Sequence, residues 1–257
     1  MTQSIECAYS IEGEGPPLFL IHGIGAARDT WRFALPVLSQ HFTVVSYDLR
    51  GHGASPIPDG EFGLDELVAD LEALREKLGI EQAHFAGHSL GGMIGPAYAC
   101  KFPDRVLSIG LLSTAAFRTE QDSTNVWAVV QAMESKGIAN ILPTLKDRWY
   151  TDLFLEEHPD IVQRRMDQVI GMSGDVFMNV FRIYAGTEMG PWLHEVKHPC
   201  LVLTGEFDGG CNPRLNKQID DALENSELVV LPDLKHSVML EAGALVADHI
   251  VRFVEQH

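Results

Sequence analysis

Several things are scarce in this sequence, and each scarcity excludes something. Cysteine occurs only as Cys7, Cys100, Cys200 and Cys211, in no C-x-x-C pair and no framework spacing. That argues against a disulfide scaffold or a zinc motif and leaves the thiols buried or incidental. Positive charge is thin, 19 Lys and Arg against 36 Asp and Glu, for a formal net charge of -17. Such a chain repels polyanions, so nucleic acid and anionic membrane are not expected partners. An acidic substrate would need a local positive group. No apolar run reaches the roughly 18 residues of a membrane span. The start Met1-Thr2-Gln3-Ser4 lacks a basic region followed by an apolar one, so the expected location is cytoplasmic.

What is present fits one sizeable globular unit. The 257 residues are 46% hydrophobic and 21% charged, enough for a full core or a core carrying an insertion. Alternation over residues 4–12 predicts a half-buried edge strand, and Leu18-Phe19-Leu20-Ile21 is the continuous apolar run of a buried parallel strand. Thr30 is placed to cap a helix from Trp31 to Gln40, and Phe42 to Tyr47 forms the next strand. The polar turn after it, with Asp48, Arg50 and His52, reads as a structural tie rather than chemistry. Leu67, Val68, Leu71, Leu74 and Leu78 have helical spacing, stopped by Gly79. Strands are also predicted at 82–86, 106–112, 200–204 and 228–231, with helices to about Lys101, at 213–223 and at 244–254. Strands alternating with helices indicate a parallel sheet covered on both faces. Between about Ala116 and Glu195 that alternation stops. Helices at 127–136, 138–150 and 161–172 there predict a helical cap insertion (116–195) on a core made of 1–115 and 196–257.

Gly87-His88-Ser89-Leu90-Gly91 is a G-x-S-x-G between a strand and a helix. A turn this sharp lifts a serine hydroxyl above the sheet edge. Two more strand ends deliver Asp208 and His236 to the same rim, giving a nucleophile, an acid and a base in the order Ser89, Asp208, His236. His236 suits a general base because imidazole titrates near pH 6.5. Asp208 would fix its tautomer; Glu206 is the weaker candidate acid because it lies nearer the strand, and Asp233 reads as closing a turn. His22-Gly23-Ile24-Gly25 ends a strand in small residues, so the backbone N–H of Ile24 joins that of Leu90 as the expected oxyanion hole. His22, Gly23 and His88 are expected to line the pocket rather than act as bases.

HGIG at 22–25, DLRGHGAS at 48–55, GHSLGG at 87–92, GEFD at 205–208 and KHSVMLE at 235–241 together resemble the α/β-hydrolase superfamily. The resemblance implies an α/β-hydrolase fold, a mostly parallel doubly wound sheet, with Ser89, Asp208 and His236 as its triad and no cofactor or metal. A serine at the elbow sets the chain apart from branches that use aspartate there. Residues 137–162 are similar to the cap of 3-oxoadipate enol-lactonases, which cleave a cyclic enol ester bearing a carboxylate; the resemblance implies that Arg148 and Trp149 reach toward the pocket, with Arg148 either binding a carboxylate or forming a solvated charge on the cap surface. The Gly209-Gly210-Cys211-Asn212 run departs from that pattern. The expected function is a serine hydrolase of a small ester or lactone. Carbon–carbon hydrolysis of a vinylogous diketone, and a ligand sensor with slow turnover, are the alternatives. The partner implied is a small-molecule substrate; a homo-oligomer stays open.

Overall fold

The computed structural model describes residues 4–257; Met1, Thr2 and Gln3, part of the start used to infer location, lie outside them. Strands β1 (Tyr9–Glu12), β2 (Pro17–Ile21), β3 (Thr43–Tyr47), β4 (Ala83–His88), β5 (Val106–Leu112), β6 (Cys200–Gly205) and β7 (Ser226–Leu231) form one sheet in the order β1-β3-β2-β4-β5-β6-β7. Only β1 runs antiparallel, with Tyr9 opposite Tyr47. The other neighbours are parallel, for example Phe19 beside Phe85 and Ile109 beside Cys200. The central strands are buried on both faces, which is why they read as unbroken apolar runs.

Helices cover both faces. On one lie α1 (Leu35–Leu38) and α11 (Gly243–Glu255), where Leu38, Val246, Ile250 and Phe253 pack with Leu18, Leu20 and Leu203. On the other lie α2 (Leu64–Lys77), α3 (Gly91–Lys101) and α9 (Pro213–Ala222), with Leu71, Met93, Ile94 and Ile219 against Phe19, Phe85 and Val202. The short α10 (Val238–Glu241) follows His236.

The helix expected from Trp31 to Gln40 is not continuous. A 3-10 turn spans Arg28–Trp31 and α1 starts afresh at Leu35, with no side-chain cap on either; Thr30 lies inside the turn. Pro36 is the cause, since its missing N–H removes the hydrogen bond a continuous helix would need there, and its ring clashes with the preceding turn. Pro36 is instead tolerated in the first turn of the new helix.

Between β5 and β6 the chain is helical, as expected, but holds five helices rather than three: α4 (Glu120–Lys136), α5 (Ile138–Trp149), α6 (Asp152–Glu157), α7 (Pro159–Gly171) and α8 (Gly174–Gly186). Thr119 caps α4, accepting from Asp122 N–H at 3.2 Å while Asp122 accepts from Thr119 N–H at 2.8 Å. Ser173 caps α8, and Val176, Phe177, Val180, Phe181 and Tyr184 bury one stripe of it. These helices share a core of their own around Val130, Leu145, Val169 and Phe177. No helix among the described residues is long and apolar enough to cross a membrane.

Candidate active site

Ser89 follows β4 with φ +57°, in the left-handed region that non-glycine residues rarely occupy. Its neighbours enforce this. A Cβ on Gly87 would lie 2.0 Å from the Gly91 carbonyl oxygen, and one on Gly91 would lie 2.2 Å from that of Ile21. Only glycine fits either place, so the spacing of the motif follows from backbone contact. Ser89 N–H donates to the Leu112 carbonyl at 2.8 Å and Thr114 Oγ1 donates to the Ser89 carbonyl at 2.9 Å, locking the strained residue to β5 and its following loop.

Asp208 and His236 converge from the loops after β6 and β7. His236 Nδ1 donates to Asp208 Oδ2 at 2.7 Å. The other carboxylate oxygen, Oδ1, accepts from Gly210 N–H at 3.0 Å and Cys211 N–H at 2.8 Å. Burial would push the Asp208 carboxyl up, but the His236 charge and these bonds together hold it below its ordinary value. For His236, burial works to lower the imidazole value and the Asp208 carboxylate outweighs it, leaving it well above 6.5. Glu206 turns away, accepting from Asp233 N–H at 3.2 Å, and Asp233 itself has φ +58° in the turn it was expected to close.

Ser89, Asp208 and His236 all line one cavity of about 690 Å³, together with Gly23, Ile24, His88, Arg148 and Trp149. The Gly23 turn approaches so closely that a Cβ there would lie 3.0 Å from Ser89 Cβ. No hydrogen bond among the described residues takes up the N–H of Ile24 or Leu90. Residues 16–243 match the alpha/beta hydrolase fold family. The chain belongs to that family.

Named proteins resemble the chain over most of its length. A 3-oxoadipate enol-lactonase of Acinetobacter baylyi is 30% identical over 80% of this chain and 77% of its own. An (E)-2-((N-methylformamido)methylene)succinate hydrolase of the same organism is 26% identical over 96% of this chain and 93% of its own. The crystal structure of the enol-lactonase from Burkholderia xenovorans superposes with a TM-score of 0.89 at 25% identity, covering 97% of this chain and 96% of that one.

Other residues singled out in the sequence separate into those at the cavity and those sealed from it. His88 is at the cavity, but it donates from Nε2 to the His236 carbonyl at 2.9 Å, and burial holds its imidazole down at about 3. It braces the His236 loop as a neutral ring. His22 does not line the cavity. It is enclosed, donating from Nδ1 to the Gly23 carbonyl at 2.8 Å and accepting from Leu49 N–H at 3.0 Å. That network ties the end of β2 to the chain at Leu49. Asp48 accepts from Arg28 and Ala54, while Arg50 pairs with Asp70 at 2.7 Å, the structural ties expected of that loop. His52 accepts from Gly25 N–H at 3.1 Å. Arg148 lies at the cavity wall on an exposed residue of α5. Trp149 is linked to the base loop, its carbonyl accepting from Ser237 N–H at 2.9 Å.

Three cavity residues had no motif to announce them. Arg165 on α7 bonds the carbonyls of Ile24 and Gly25. Arg118 bonds the Thr187 carbonyl at 2.8 Å and lies over the Tyr184 ring. Cys211 has its sulfur 3.1 Å from Tyr184 Oη. Asp208, Cys211 and His236 hold ligand-type atoms within 4.8 Å of one another, but Asp208 and His236 already satisfy each other.

Proposed function

We propose that the chain is a cofactor-free serine hydrolase that cleaves a small carboxylic ester or lactone, of the enol-lactone kind, through an acyl-enzyme. The observation that carries this reading is the 2.7 Å bond from His236 Nδ1 to Asp208 Oδ2 beside a serine held at φ +57° in the same cavity. The bond fixes the tautomer that leaves His236 Nε2 free to accept a proton. Ser89 Oγ attacks the carbonyl carbon as its proton passes to Nε2. The N–H groups of Ile24 and Leu90 hold the tetrahedral oxyanion, each worth about 3 kcal/mol to the transition state. Collapse breaks the acyl–oxygen bond, and the imidazolium protonates the departing oxygen; in a lactone this oxygen stays on the acyl chain, and in an enol lactone it leaves as an enol. Water, deprotonated by the same nitrogen, then releases the acid and restores Ser89.

Residues 116–195 act as a cap on the core of 1–115 and 196–257. Arg148 and Trp149 bring the cap to the substrate, while Gly23 and His88 line the floor. The names of the relatives, a 3-oxoadipate enol-lactonase and an (E)-2-((N-methylformamido)methylene)succinate hydrolase, support hydrolytic chemistry at this site.

The test is Ser89→Ala on an activated ester together with covalent labelling by a fluorophosphonate. Loss of turnover by about 10⁵–10⁶-fold and labelling at Ser89 alone are expected. Full turnover by Ser89→Ala on an ester the protein demonstrably cleaves would overturn the proposal.

A further inference from the structure

Arg165 carries a charge that no carboxylate among the described residues pairs with directly. Its Nη1 donates to the Gly25 carbonyl at 2.5 Å and its Nη2 to the Ile24 carbonyl at 2.8 Å. Its guanidinium carbon lies 5.3 Å from the centre of the Trp149 ring. A guanidinium has five N–H donors, and these two carbonyls account for two. No ion pair among the described residues includes Arg165. Asp29, the aspartate whose charge reaches it, is already bonded by Arg164 at 2.9 Å and Gln168 at 3.3 Å. The two acids lining the cavity are engaged as well, Asp122 with Arg214 and Asp208 with His236. A half-buried cation at a cavity wall without a counter-charge is placed to receive an anion, and in a chain of net charge -17 acidic partners abound elsewhere.

The position of this cation is preset. Gly25 has φ +61°, and a Cβ there would lie 2.7 Å from the Phe177 ring of α8 and 3.3 Å from Val169 of α7. The loop carrying Ile24 is thus pressed under two helices of the insertion, and Arg165 clamps it from the cavity side. Arg118 also lines the cavity, 4.6 Å over Tyr184 and bonded to Thr187, with Nη2 buried and without a hydrogen-bond partner, but unlike Arg165 it has a carboxylate beside it, Glu188, which accepts from its backbone N–H at 3.1 Å and offsets its charge. Arg148 sits on an exposed residue at the wall.

We infer that Arg165 selects the substrate of this site by receiving a carboxylate on its acyl part. The inference rests on the serine-hydrolase reading above and names the charged group that reading leaves open. The guanidinium that meets the carboxylate also grips the carbonyl of Ile24, the residue whose N–H is the proposed oxyanion donor. Carboxylate and scissile carbonyl are therefore close, and the acid released is a short-chain dicarboxylate or oxo-acid. Arg165 takes the carboxylate-binding role that the sequence left open for Arg148.

The experiment compares p-nitrophenyl hemiglutarate with its neutral near-isostere p-nitrophenyl valerate, in the wild type, Arg165→Met, Arg165→Lys and Arg148→Met. The readout is the ratio of kcat/KM for the anionic ester to that for the neutral one. Arg165→Met should lower this ratio about 10- to 100-fold, the weight of a charge-assisted hydrogen bond, mainly through KM, and Arg165→Lys should recover part of it. An unchanged ratio in Arg165→Met, or an equal fall in Arg148→Met, overturns the assignment. Should Arg165→Met not fold, the wild type decides: glutarate should inhibit valerate hydrolysis competitively and less so in high salt, and equal inhibition by neutral glutaramide overturns the assignment. Failure of the underlying reading looks different, since then neither ester shows hydrolysis that depends on Ser89.

Discussion

Replacing Asp208 by Asn keeps the shape of the side chain and tests whether the carboxylate acts by fixing the imidazole tautomer. Its Oδ1 accepts from Gly210 N–H at 3.0 Å and Cys211 N–H at 2.8 Å, so an amide must place its oxygen there. The flipped amide would set its NH₂ against two N–H donors, leaving both unsatisfied in a buried site at about 1–3 kcal/mol each. The NH₂ group therefore faces His236, and Nδ1, which now donates to Oδ2 at 2.7 Å, has to accept instead. Its proton moves to Nε2, the nitrogen meant to receive the proton of Ser89. A base in the wrong tautomer costs about 10⁴-fold in kcat, or about 5.5 kcal/mol of barrier. KM should change little, because both carboxylate oxygens are taken up within the protein, Oδ1 by Gly210 and Cys211 N–H and Oδ2 by His236. The assay is steady-state hydrolysis of a neutral p-nitrophenyl ester near pH 8, with near-ultraviolet circular dichroism to verify the fold. A folded Asp208→Asn protein with kcat within tenfold of wild type would refute the reasoning.

Two further expectations concern pH and packing. Burial holds His22, His52 and His88 each down at about 3. The folded value lies below the unfolded one near 6.5, so the unfolded chain binds more protons, and stability present above pH 6.5 is lost as pH falls toward 3, by up to about 1.4 kcal/mol per pH unit for each ring. Tm should therefore drop between pH 7 and 5, and a flat profile there would contradict the burial of these rings. His236 has the opposite sign: raised by Asp208, it stays protonated to higher pH, so the rising limb of kcat/KM should fall above pH 6.5, and a limb near pH 5 would contradict this. Gly87→Ala should destabilise the fold by at least about 1–3 kcal/mol and remove activity, since its Cβ would meet the Gly91 carbonyl oxygen at 2.0 Å; a Tm unchanged in thermal melts would show that the elbow can relax.

The sheet was legible in the sequence because buried parallel strands leave long apolar runs, and the placement of Ser89, Asp208 and His236 followed from strand ends sharing one rim. The Gly-x-Ser-x-Gly spacing was legible because backbone crowding at Gly87 and Gly91 tolerates nothing else. Arg165 was not legible. Its meaning comes from carbonyls at Ile24 and Gly25, far away in sequence, and a carbonyl acceptor has no residue type to mark it. Helix α8 begins at Ser173-Gly174, a pair that reads as a turn, although the serine is in fact the cap. His22 borders the cavity-lining Gly23 in sequence, yet its ring points into the network holding Leu49, and adjacency along the chain does not convey that direction.

The pairing of Ile109 with Cys200 across the excursion between β5 and β6 bears on how the molecule comes into being. During synthesis the strand leading to Ser89 and its flanking sheet emerge first, and β5 then waits as an open edge while five helices are made. Such distant pairings are slow to form, because the intervening loop must close before any contact rewards it. Asp208 and His236 are delivered only by the segments that close this edge. A nascent or truncated chain can thus present Ser89 without the groups that would arm it, and completion of the sheet and onset of reactivity become a single event.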